Sequence, residues 1–193
     1  VWVSLISDES PEQAEQVVKD NGGQLELATQ QVPNRGRHAL FRDPAGALFG
    51  VLPSDSGDPA DYEVAIGEFI WVDLYARDVS EMAAFYQKLA PYEVTSDAIT
   101  EDVSRTVLRA HGMARAGIVP VDEEANRSAW VPYVRVEDVA ATLEKVVAVG
   151  GFAIVPPDER LLNGNVAVFV DPNGGVKGIL KCDYEGEGGR EDS

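Results

Sequence analysis

Side chains capable of chemistry are most concentrated in Trp71-Val72-Asp73-Leu74-Tyr75. Read as a strand, this stretch sends alternate residues to opposite faces. Ile70, Val72 and Leu74 then share one face, and Trp71, Asp73 and Tyr75 share the other. The aliphatic set suits packing on a helix, so the second set is expected to line an open site. An acidic residue between aromatics on a buried strand needs a partner. Asp73 is therefore the best candidate for catalysis, as a general base if its surroundings raise its pKa. Trp71 could stack a planar ligand.

Other reactive groups are sparse. Cys182 is the single cysteine, so no intrachain disulfide can form. It falls near the end of a predicted strand and reads as an inert strand residue. His38 lies before an Asp-Pro turn and His111 in a predicted hairpin turn, and the Cys/His spacing of a zinc site is absent. Asp43 and Asp171 open two Asp-Pro-x-Gly sequences, which suit type I turns, so both read first as turn formers.

The bulk composition narrows the partners. Asp and Glu number 33 against 16 Lys and Arg, giving a net charge of −17. Such a field repels phosphate backbones, which argues against nucleic acid. Apolar runs fall short of the ~18 residues of a membrane span. No basic start followed by an apolar stretch marks a signal peptide. A cytoplasmic location is the default expectation, with export left open at the upstream end.

The elements that must position these residues recur. Residues 2–52 align with residues 130–180 without a gap. Trp2-Val3, Gly22-Gly23, Phe41, Asp43-Pro44, Gly46, Gly50 and Leu52 meet Trp130-Val131, Gly150-Gly151, Phe169, Asp171-Pro172, Gly174, Gly178 and Leu180. A weaker third copy starts at Trp71-Val72. Each copy reads as a β-α-β-β-β repeat of roughly 50 residues, which makes the chain an α+β protein. First strands are expected near 1–6, 68–76 and 129–136. Ser10, Asp78 and Asp138 can cap the helices that follow. Gly22 and Gly150 supply left-handed exits, and Pro91 stops the middle helix. By alternation from the helix start, the last repeat presents Val131, Tyr133 and Arg135 on the face that Trp71, Asp73 and Tyr75 take in the middle one. Residues 53–66 read as a linker, 120–128 as an acidic connector and 183–193 as a disordered tail.

Three stretches carry a family resemblance: Trp130-Val-Pro-Tyr-Val-Arg-Val-Glu-Asp-Val139, Val149-Gly-Gly151 and Val168-Phe-Val-Asp-Pro-Asn-Gly174. Together with Trp71-Val-Asp-Leu74 and Ala84-Phe-Tyr86, they resemble the glyoxalase/bleomycin-resistance/extradiol-dioxygenase superfamily, also called the vicinal oxygen chelate superfamily. The resemblance implies that βαβββ repeats pair into a curved, cupped mixed sheet with helices outside. Residues 67–182 (67–119 with 129–182) are then expected to form one complete module. Residues 1–52 form a half-module whose partner of roughly 50–60 residues is expected upstream or from another chain.

Enzymes of the superfamily usually hold a divalent metal through His, Gln or Glu on the first and last strands of each repeat. The resemblance places those positions here on Trp71 and Val131, and on Gly50 and Gly178. None of these side chains binds a metal, so no metal and no cofactor is expected. What remains for the cup is Trp71, Asp73, Tyr75, Val131, Tyr133 and Arg135, with Gly178 expected to leave room on its floor. An aromatic pocket with a few convergent polar groups is the usual small-molecule site. The expected function is metal-independent binding of a small organic molecule. One alternative is an enzyme (lyase, isomerase or dioxygenase) using Asp73 or a metal site completed upstream. Another is a degenerate module serving assembly as a homodimer.

Overall fold

The computed structural model describes residues 2–8, 10–33, 36–53, 63–98, 104–121 and 128–182. The tail 183–193 and most of the predicted linker and acidic connector lie outside the described residues. The chain forms two compact units. The first joins Val1–Ala60 with Trp71–Pro132, and the second joins Asp61–Ile70 with Tyr133–Ser193.

In the first unit, strand β1 (Ser4–Ser7) leads to helix α1 (Pro11–Asp20), then β2 (Gln24–Val32), β3 (Gly36–Arg42) and β4 (Leu48–Leu52). Ser10 caps α1, its Oγ accepting the Gln13 N–H at 3.3 Å, and Pro11 opens the first turn. The strands order as β1-β4-β3-β2, with β1 parallel to β4 and the rest antiparallel. The next repeat begins with β5 (Phe69–Ala76) and α2 (Val79–Leu89). It continues with β6 (Glu93–Ala98), β7 (Ser104–Ala110) and β8 (Met113–Pro120). Its order, β5-β8-β7-β6, repeats the first, again with its first and last strands parallel. Asp78 caps α2 by accepting the Glu81 N–H at 2.7 Å. His111 and Gly112 both take positive φ in the tight turn between β7 and β8, the geometry of a two-residue hairpin.

One core fills this unit. It gathers Ala14 and Val18 from α1, Phe41 and Phe49 from the first sheet, and Met82, Phe85 and Tyr86 from α2. Phe49 meets Phe85 edge-on at 6.1 Å and Tyr86 at 5.5 Å between ring centres. Each such aromatic contributes about 1.5–3 kcal/mol on burial. The apolar face of the first repeat is thus covered by the helix of the second. Leu74 and Ala76 are buried in this core and Val72 packs against it, so the aliphatic side of β5 faces α2 as alternation predicts.

In the second unit, β9 (Ala129–Arg135, whose first residues belong to the first unit) is followed by α3 (Val139–Ala148). Then come β10 (Phe152–Val155), β11 (Val166–Val170) and β12 (Val176–Leu180), ordered β9-β12-β11-β10. Asp138 caps α3 through the Ala141 N–H at 2.8 Å. Val136, Val139, Leu143, Ala167, Phe169 and Ile179 make its core. Lys177 stands where the first repeat has Phe49, and it binds the carboxylate of Asp171. Among the described residues, no helix is long and apolar enough to cross a membrane.

Candidate functional site

A polar cluster of the first unit lies on the face of β5, β8 and β7 turned away from α2. Asp73 projects there from the middle of β5 and is only 4% exposed. Its Oδ1 accepts the indole N–H of Trp71 at 2.7 Å. Arg105 arrives from β7, with Nη1 3.7 Å from the same oxygen and Cζ 4.7 Å from the centre of the Trp71 ring. A cation over an indole face is attracted by the ring quadrupole. Gly117 of β8 lies opposite Asp73 in the parallel ladder. A Cβ at Gly117 would stand 2.0 Å from Asp73 Oδ1, so the missing side chain is what admits the carboxylate. Tyr75, next on this face, is half-buried.

Sequence reasoning placed Trp71, Asp73 and Tyr75 on this face and overlooked Arg105 and Gly117. The repeated glycine of the last strand was a signal for Gly117, whereas no pattern along β7 singles out Arg105.

That glycine recurs in every repeat, and each time the residue opposite it on the first strand fills the gap. Leu5 faces Gly50, Asp73 faces Gly117 and Tyr133 faces Gly178. A Cβ on Gly50 would fall 2.5 Å from Leu5 Cδ2, and one on Gly178 would fall 2.1 Å from the Tyr133 ring. The expectation that Gly178 leaves room on a floor is therefore corrected: the ring of Tyr133 lies there, because a flat side chain on one strand packs into the gap on the next. Val131 and Tyr133 are both buried. Arg135 turns its donors to main chain, with Nε reaching the carbonyl of Cys182 at 3.1 Å and Nη1 that of Val64 at 2.5 Å. It also pairs with Glu63 at 3.4 Å. These bonds tie β9 to residues 63–64 and to Cys182 within its own unit.

The donor set does not fit a superfamily-type metal. Positions 50, 117 and 178 offer no ligating atom, and their side-chain space is taken. Among the described residues, no three His, Cys, Asp or Glu side chains converge to hold an ion. His38 sits on β3 and His111 in its hairpin turn.

A second polar network runs through the core of the first unit. The Asp43 carboxylate, 2% exposed, accepts the Ala47 N–H at 2.8 Å in its turn and the Tyr86 hydroxyl at 2.9 Å. The Tyr86 oxygen in turn accepts the indole N–H of Trp130 at 2.9 Å. Burial raises the Asp43 pKa, against the pull of its hydrogen bonds. Burial, and then the charge of Asp43, push Tyr86 well above the usual phenol range. Asp43 is thus more than a turn former: it ties three elements together. Asp171, at the same place in the third repeat, is held down to about 2, first by Lys177 and then by the Gly175 N–H.

Comparison with known proteins agrees with this architecture. The glyoxalase-like domain family matches residues 70–177, more than half of the chain. "Putative glyoxylase CFP32" of Mycobacterium tuberculosis is 26% identical over 181 residues, covering 94% of this chain and 69% of the relative. The anthracycline biosynthesis protein DauV of Streptomyces sp. (strain C5) is 26% identical over 178 residues, covering 90% of this chain and 63% of DauV. Among solved structures, the Mn(II)-bound glyoxalase from Novosphingobium aromaticivorans superposes with a TM-score of 0.56 at 20% identity. That match covers 92% of this chain and 60% of that one. The 2,3-dioxygenase LapB from Pseudomonas sp. KL28 gives 0.56 at 13% identity, covering 93% of this chain and 69% of that one. The chain therefore belongs to the glyoxalase-like domain family, within the glyoxalase/bleomycin-resistance/extradiol-dioxygenase superfamily.

Proposed function

We propose that this chain binds a small organic molecule, without a metal, on the β5–β8–β7 face around Trp71, Asp73 and Arg105. The observation that carries the reading is the packing at the last strands. The resemblance puts a chelating carboxylate at Gly50 and Gly178, where Leu5 and Tyr133 fill the space, and Asp73 fills the like space at Gly117. A site that combines an indole, a buried carboxylate and a guanidinium has the few convergent polar groups of a ligand pocket. Two relatives named for anthracycline biosynthesis fit an organic ligand of this kind.

A second reading has one observation in its favour. Asp73 is a buried carboxylate beside an aromatic ring, a setting in which a general base operates. The same face would then hold a substrate.

Elemental analysis and native mass spectrometry of the purified chain test the proposal together. The expected result is less than a tenth of an equivalent of any transition metal, and an organic adduct lost on denaturation. A stoichiometric metal removed by chelation would overturn it.

A further inference from the structure

Arg105 reaches the site by an indirect route. It starts on β7, and β8 lies between that strand and β5. Its stem crosses β8 where Gly117 has no side chain: a Cβ there would stand 2.4 Å from Arg105 Cδ and 2.9 Å from Cγ. Asp97 lies directly opposite Arg105 on β6 and would offer an ordinary cross-strand pair. The guanidinium is carried the other way, over Trp71.

Once there, its hydrogen-bonding capacity is underused. Nε is buried and meets no acceptor among the described residues. A buried N–H without an acceptor is costly. The 3.7 Å from Nη1 to Asp73 Oδ1 is longer than the ~2.7–2.9 Å of a charge-assisted hydrogen bond. A fork of donors with a buried Nε, held over an indole and still partly open to solvent, suits a planar oxyanion in two-point contact.

We propose that Arg105 reads the ligand and that the ligand is a small organic anion with a flat body, presenting a carboxylate to the guanidinium. This rests on the reading of the β5–β8–β7 face as a small-molecule site. The body of the anion lies along the aromatic side that Trp71 and Tyr75 provide. Asp73 offsets the charge of Arg105, so selectivity comes from directed hydrogen bonds more than from net charge. A neutral amide would set its own N–H donors against those of the guanidinium.

The test is a titration of the full chain with benzoate, benzamide and benzamidine, followed by the indole N–H resonance of Trp71, which a Trp71→Phe variant assigns. Benzoate is expected to shift that resonance saturably, with benzamide at least tenfold weaker. Arg105→Gln should weaken benzoate at least tenfold, and Arg105→Lys by less. The resonances of Trp2 and Trp130 report whether each variant is folded. Should Arg105→Gln unfold, Arg105→Lys decides, because an ammonium lacks the fork. Unchanged benzoate affinity in the deciding variant, or a preference for benzamide or benzamidine, overturns the role of Arg105 and leaves the small-molecule site standing. If no probe moves the Trp71 resonance, the site reading falls as well.

Discussion

At Gly117, the space that a methyl group would take is already held by Asp73 Oδ1 and the stem of Arg105. Gly117→Ala is therefore expected to force Arg105 off Trp71 and to cost about 1–3 kcal/mol, as overpacking does. Chemical denaturation followed by tryptophan emission checks this, and unchanged stability with unchanged emission would contradict it. Tyr86→Phe removes the hydroxyl that serves both Asp43 and Trp130. The buried Asp43 carboxylate loses a bond, at about 1–3 kcal/mol, and the half-buried Trp130 indole loses its acceptor. The phenol hydrogen bond opposes the burial that raises Asp43, so its loss lets that pKa rise further. A carboxyl with a raised folded pKa loses stability as pH climbs from the unfolded value through the folded one. The penalty of Tyr86→Phe should accordingly be larger at pH 7 than at pH 3, measured by melting at both. Asp73 was legible from the sequence because alternation along one strand isolates it between aromatics. Arg105 was not, because its contact crosses a neighbouring strand, and no single-strand pattern records that. The bond from Asp43 to Tyr86 joins residues 43 positions apart and was equally hidden.

At the scale of elements, the helix caps were the most legible feature, since a cap is a local event of three or four residues. Ser10, Asp78 and Asp138 each accept the N–H three residues on. Asp78→Ala and Asp138→Ala should each cost about 1 kcal/mol, read from denaturant midpoints, with the sheet spectrum unchanged. The order first-last-third-second recurs in all three sets of strands. The turn residues announced the hairpins. The pairing of each first strand with the last strand of its own repeat joins segments far apart in the chain, and no turn signal carries it. Arg135 shows the same limit: its place on β9 was read correctly, but its donors go to the carbonyls of Val64 and Cys182.

At the scale of the whole molecule, the first repeat is committed to the second. Phe49 packs against Phe85 and Tyr86, and Lys88 of α2 reaches Asn21 at the end of α1 at 2.5 Å. Residues 67–182, expressed alone, would bare Met82, Phe85 and Tyr86 to water. That fragment is expected to aggregate or to bind a hydrophobic dye, whereas the full chain does not. A monodisperse, dye-silent fragment would show that the first repeat is dispensable to that core. The exchange of Phe49 for Lys177 between the outer repeats has a further consequence. A chimera carrying the third copy in place of the first would thrust an ammonium among the rings of α2. The two copies follow one blueprint, yet they are no longer interchangeable parts.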